Sequence, residues 1–203
     1  MTERSAIFGT MDEAMRFIAR DRSGQTARPA MAKKAGDRLY GGDEVSLAGE
    51  SGAAQRGLLE LALKDIDRLH LHVVLARYMS RSIPCECCGQ MRVSPMWWAQ
   101  VQTISNASLQ LGVISSHTMM RSARDGAVAR YFGHKVGLAE LAENAEISLR
   151  TMNTLHGKIC KWLGGSRVEK NGDPGVIGVE QVALAEVETR LLRAGHIAKT
   201  KYV

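Results

Sequence analysis

Residues 138–163, LAELAENAEISLRTMNTLHGKICKWL, constrain the fold of this chain more than any other stretch. Two runs with helical apolar spacing flank a break that is long enough only for a tight turn. That arrangement predicts a helix-turn-helix over residues 137–163. Two helices that cross steeply over a short turn need apolar side chains on their facing sides. They also need a small residue where they come closest. Leu141, Ala145, Ile147, Met152 and Leu155 supply the apolar positions, and Ala142 supplies the small one. Ser148 follows the turn, where its hydroxyl is placed to accept from a free backbone N–H and act as an N-cap. A glycine is usual where Glu146 stands, so the turn either avoids a positive φ or has an unusual geometry.

The same spacing leaves Ser148, Leu149, Arg150, Asn153, Thr154, Gly157 and Lys158 on the outward side of the second helix. Arg, Asn, Ser and Thr side chains reach phosphates and base edges, so these positions are the expected contacts to double-stranded DNA. Helix pairs over short turns also occur in proteins that never meet nucleic acid, and packing alone is the competing reading. Glu140, Glu143 and Glu146 fit a DNA-binding unit only if the first helix faces away from phosphates.

Charge is compatible with a polyanionic partner. The net charge is +6, and residues 121–170 carry nine Lys/Arg against five Asp/Glu. No secretory signal is visible and no apolar run reaches the length of a membrane span, so the expected location is the cytoplasm. Cysteines there serve as thiols or metal ligands rather than disulfides.

Residues 10–20 predict a short amphipathic helix capped by Thr10, with Met15, Phe17 and Ile18 as its apolar side. Residues 21–52 are rich in Gly, Ala, Ser and charge and read as a mobile arm, with Lys33, Lys34 and Arg38 open to phosphates or an acidic partner. The expected organisation is therefore an N-terminal helix and arm over 1–52 and a helical DNA-binding domain over 53–203. Within the latter, one long helix is predicted for 53–80, a second for 95–111 starting at Pro95, and a third for 116–132 capped by Ser115 or Ser116. Trp97 and Trp98 are adjacent and cannot share a face, so one belongs at an interface or the rim of the core. Residues 164–178 contain Gly, Asn and Pro and form either a wing-like hairpin or a plain loop, in which Arg167 is a further candidate DNA contact. A final helix over 179–194 is expected to pack through Val182, Leu184, Val187, Leu191 and Leu192 onto the core or a second subunit. Strand signals are almost absent, so the fold class is mainly α.

The segment 84–89, Pro-Cys-Glu-Cys-Cys-Gly, has the form of a metal knuckle, with Cys85 and Cys88 as two ligands. His156 and Cys160 lie four residues apart on one helical face, and with the knuckle they would complete a closed Cys-Cys-His-Cys site for a structural zinc ion. In the competing reading Cys160 is a small core residue and His156 a surface residue or DNA contact. His70, His72 and His117 are substitute ligands, and Cys87 is a bystander or an alternate. A redox role lacks the βαβ context that motif needs.

The stretch YFGHKVGLAELAENAEISLRTMNTLHGKICKWL, residues 131–163, is similar to a sigma-factor region-4-like helix-turn-helix. With a cysteine knuckle upstream, the chain resembles phage and prophage transcription regulators, most of all the phage late-gene antitermination proteins called Q. It lacks the second cysteine pair of the zinc-bearing Q proteins. The resemblance implies a protein that binds a DNA element near a late promoter, loads onto paused RNA polymerase and lets it read through terminators. It also implies that Ser148, Arg150, Asn153 and Thr154 face the groove. A homodimer would suit an inverted repeat, and a monomer a polymerase-docked factor.

An enzyme is not expected. No carboxylates stand at metal spacing, and there is no Ser/His/Asp arrangement or phosphate-cradling glycine loop. Asp65 and Asp67, like His70 and His72, are two residues apart on a predicted helix and point to different sides. The alternative to a DNA-binding regulator is a protein-interaction module that uses the Trp97–Trp98 pair and the last helix.

Overall fold

The computed structural model describes residues 7–22, 50–85, 87–114, 120–166 and 175–198. The fold is mainly α. Among the described residues there are eight α-helices and one two-stranded antiparallel hairpin. The helices are α1 (Met11–Arg22), α2 (Glu50–Leu63), α3 (Arg68–Tyr78), α4 (Pro95–Gln110), α5 (Arg121–Tyr131), α6 (Leu138–Asn144), α7 (Leu149–Gly164) and α8 (Val179–Arg193). The hairpin strands, β1 (Ser82–Pro84) and β2 (Met91–Val93), lie between α3 and α4.

The long helix expected over 53–80 is two helices, α2 and α3. Asp67 makes the break, because its carboxylate accepts from the backbone N–H groups of Leu69 (2.8 Å) and His70 (3.3 Å) and so caps a new helix. Helix α4 begins as its sequence dictates, with Ser94 as cap and Pro95 in the first turn. Helix α5 starts at Arg121 with Met120 at its cap position, later than expected, and the proposed caps Ser115 and Ser116 lie outside the described residues.

The core is continuous across the expected boundary at residue 52. Ala14, Met15 and Ile18 of α1 are buried with Leu59 of α2, Val73 of α3 and Val187 of α8, so α1 belongs to the same packed body as the rest. Residues 23–49, the expected arm, lie outside the described residues. Phe8 completes the join through a parallel bridge to Ile197. Its N–H donates to the His196 carbonyl (3.1 Å), and its carbonyl accepts from Ala198 (3.3 Å).

Two polar locks set the frame. The indole of the fully buried Trp97 donates to the Ala76 carbonyl (3.0 Å), pinning α4 on α3, while Trp98 is half-buried at the rim. The buried carboxylate of Glu180 on α8 takes a two-pronged bond from Arg77 on α3 and a third from the Tyr131 hydroxyl on α5. Arg77 also lies over the rings of Tyr131 and Phe132. Charge pairing and stacking together satisfy an acid that burial alone would penalise. On α8, Ala183, Val187 and Leu191 face inward. Val182, expected to pack on the core or on a second subunit, is not in the core: it is 43% exposed, one position off that stripe.

Candidate nucleic-acid face and thiol cluster

Helices α5, α6 and α7 pack on one another as a three-helix unit. Helices α5 and α6 approach closely at Gly126, where a Cβ would stand only 2.3 Å from a methyl of Leu141. Leu141, Ala142, Ala145, Met152 and Leu155 are buried and Ile147 is half-buried, as the spacing requires.

The connection from α6 to α7 has a specific form. The N–H of Ile147 donates to the Ala142 carbonyl (3.0 Å) and that of Glu146 to the Glu143 carbonyl (3.0 Å). This is a Schellman ending, which places Glu146 in the left-handed region at φ 52°. Helices α4, α5 and α8 close with the same bonds and carry Gly112, Gly133 and Gly195 at that position. The turn therefore keeps the positive φ without the glycine, at a steric cost to Glu146. Two residues on, the Ser148 hydroxyl accepts from the Thr151 N–H (3.1 Å) and caps α7.

Helix α7 is sharply two-sided. Met152, Leu155, Ile159 and Leu163 are buried. Ser148, Leu149, Arg150, Asn153, Thr154, Gly157 and Lys158 are all exposed, and Lys161 extends the same face by one turn. Among the described residues Arg150, Lys158 and Lys161 have no ion-pair partner. The first turn holds no acid. The Thr154 hydroxyl donates to the Arg150 carbonyl (3.0 Å), which leaves its oxygen lone pairs outward. Arg167 lies outside the described residues. The part of the expected wing-like hairpin or loop around it also lies outside the described residues; flanking that part, the Ser166 N–H donates to the Val176 carbonyl (2.9 Å).

The hairpin that sequence reading missed carries the knuckle at its tip. Strand pairing runs Ser82 to Val93, Ile83 to Arg92 and Pro84 to Met91. Beyond it, the Cys85 N–H donates to the Gln90 carbonyl (2.8 Å) and the Gly89 N–H to the Cys85 carbonyl (2.8 Å). The sulfurs of Cys85, Cys87 and Cys88 come within 4.8 Å of one another, a grouping that can hold a metal ion. Cys85 and Cys87 are 3.0 Å apart. The Cys87 thiol and the backbone N–H groups of Cys87 and Cys88 stabilise the Cys85 thiolate and bring its pKa down to about 7, while the same contact raises that of Cys87. A thiolate flanked by two thiols is the donor set of a soft or borderline metal.

This corrects the expected ligand set. His156 and Cys160 do meet, with sulfur 3.6–3.7 Å from the ring nitrogens, but they are not members of the three-cysteine group. The reason is topological. The hairpin is strung between α3 and α4, whereas His156 and Cys160 sit beside Arg130 on α5. Burial lowers the His156 pKa and raises that of the Cys160 thiol, so both are neutral near pH 7. Cys87, expected as a bystander or an alternate, is the third member of the group. Of the substitute ligands, His70 pairs with Glu186 (2.7 Å) and His72 with Gln100 (2.6 Å), and His117 lies outside the described residues.

No helix among the described residues is long and apolar enough to cross a membrane. The chain matches no family model, no curated protein and no solved structure.

Proposed function

We propose that the chain is a sequence-specific DNA-binding transcription regulator that lays α7 in the major groove and has no catalytic activity of its own. One observation carries this reading. The outward side of α7 presents Arg150, Asn153, Thr154, Lys158 and Lys161 without ion-pair partners, while the opposite side is fully buried. A polar outer face is common to surface helices, but three cations and an amide with no acid paired to them among the described residues form a face that a phosphate backbone can neutralise. Arg150 in the first turn and Asn153 one turn on are placed to read base edges; Lys158 and Lys161 contact phosphates. Leu149, 49% exposed at the start of the helix, supplies an apolar contact of the kind that thymine methyls accept. The resemblance to Q-type antiterminators makes RNA polymerase the second partner. Cys85, Cys87 and Cys88 would hold a zinc ion, which would serve structurally by fastening the hairpin tip.

The test is capture of sheared source DNA at moderate salt, followed by sequencing and repeated with Arg150→Ala. Enrichment beside promoters is expected. The substitution should cost about 1–3 kcal/mol on the enriched site and relax its sequence preference. Uniform retention unaffected by Arg150→Ala would overturn the groove assignment and favour a helix pair that only packs.

A further inference from the structure

Away from the outward face of α7, an open cleft of about 540 Å³ separates two loops distant in sequence. Ser80, Arg81 and Ser82, between α3 and β1, form one wall. Gly133, His134 and Lys135, between α5 and α6, form the other. Both walls are held by main-chain bonds. The Arg81 carbonyl accepts from the Ser94 N–H at the start of α4 (2.8 Å), and β1 begins at the next residue. Opposite, the N–H groups of Gly133 and His134 donate to the carbonyls of Arg130 and Ala129 (both 2.9 Å). The Arg130 guanidinium then donates to the Val136 carbonyl. His134 is steadied against the buried Trp97, ring centres 5.7 Å apart.

The chemistry of the cleft is one-sided. Among the described residues its lining holds an arginine, a lysine, a histidine and two serines, and no carboxylate. Tyr78, the other polar side chain of the lining, gives its hydroxyl to Asp12. Among the described residues Arg81 and Lys135 have no ion-pair partner. The Arg81 guanidinium lies directly over the Gly133 backbone, where a Cβ would come within 3.1 Å of it, and Gly133 has φ +84°. A side chain there would crowd the guanidinium, which would have to give by a few tenths of an ångström. Two cations on fixed loops without ion-pair partners, with Ser82 beside them, form the donor set for a tetrahedral oxyanion.

We infer that this cleft binds a phosphate group. Two sources share that chemistry: a backbone phosphate of bound DNA, and the phosphate of a free small ligand. The first rests on the DNA-binding reading above, because Lys135 lies on the loop that joins α5 to α6 in the same three-helix unit as α7; the second does not.

The experiment has two arms. In the first, inorganic phosphate is titrated into the ¹⁵N-labelled full chain at constant ionic strength, with chloride as the control. Saturable shifts are expected at the amides of Arg81, Gly133, His134 and Lys135. They should be lost in Arg81→Gln and weakened in Lys135→Gln, which changes only an exposed side chain. Weak, non-saturating shifts spread over all basic residues, or saturation unchanged by both substitutions, would overturn the site. In the second arm, affinity for a duplex selected by the capture experiment is followed against salt. A DNA source predicts that Arg81→Gln lowers the slope by about 0.9 per lost phosphate contact without changing which sequences are preferred. An unchanged slope with phosphate binding intact assigns the cleft to a free phosphorylated ligand. If no duplex binds, the proposed function fails while the phosphate titration still decides the cleft.

Discussion

Replacing Gly126 by alanine should destabilise this protein, although alanine is the better helix former. Gly126 lies inside α5, where glycine costs about 0.8–1.0 kcal/mol relative to alanine. Against that gain stands the contact with α6. A Cβ at this position would lie 2.3, 2.9 and 3.2 Å from Cδ2, Cδ1 and Cγ of Leu141. Carbon atoms rest about 3.5–4.0 Å apart, so the Leu141 side chain or the whole of α6 must move by more than an ångström. Leu141 is only 8% exposed and has little room to swing away. Overpacking of this kind costs about 1–3 kcal/mol, which leaves a net loss of about 0–2 kcal/mol. The decisive comparison is with Leu141→Ala, which removes the obstructing atoms at a cost of its own of about 2–5 kcal/mol. In that background Gly126→Ala should stabilise by about 0.8–1.0 kcal/mol, the helix-propensity gain alone. Urea unfolding followed by far-UV circular dichroism reads the shift in midpoint at constant slope. Equal stabilisation in both backgrounds would show that α5 and α6 do not touch through these atoms.

Other positions test other links of the argument. Glu146→Gly should relieve about 1–2 kcal/mol of left-handed strain and return about 0.5–1 kcal/mol to the freer unfolded chain, a small net gain. Glu146→Val should destabilise, and a thermal scan in which the two variants behave alike would refute the positive φ. Glu180→Gln should cost about 1–3 kcal/mol, below the usual figure for a fully buried pair because Arg77 is 38% exposed and keeps some water. It should also lower the raised pKa of Tyr131, which burial first and the Glu180 bond second hold above the phenol value; phenolate absorbance against pH checks this. In metal-free protein, alkylation of Cys85 should rise through about pH 7 and that of Cys87 only at higher pH. A common midpoint for both in mass spectra would mean that the two sulfurs do not share a proton-bonded contact.

The local alphabet of the fold was readable where side chain and backbone act together. Thr10 and Ser148 each accept from a backbone N–H three residues on, as their positions before apolar-periodic runs predict, and Ser94, which the sequence reading passed over, does the same before Pro95. The two faces of α7 followed from period alone, and Lys161 could have been added by extending the same spacing. The break at Asp67 was hidden because apolar residues on both sides keep helical spacing, and only the capping chemistry of one carboxylate separates them. The hairpin was hidden for a different reason: its strands are three residues each, too short to show alternation. The metal group turned on the same point. Residues four apart on one helical face do meet, as His156 and Cys160 do, but spacing cannot say which loop faces them, and Cys87 needed only the tightness of the hairpin tip. The cleft of Arg81 and Lys135 joins loops with no sequence pattern in common, so nothing short of the tertiary structure brings them together.

The bridge from Phe8 to Ile197 has a consequence for the order of assembly. Helices α5, α6 and α7 are consecutive and touch mainly each other, so they can close as soon as residue 164 has left the ribosome. Residue 8 and helix α1 must wait for residue 197 before their last partner exists. Contacts that span so much chain are entropically late, and neighbouring-helix contacts are early. During synthesis the unit proposed to read DNA would therefore mature first, and the frame around it would be sealed last by two short stretches of backbone.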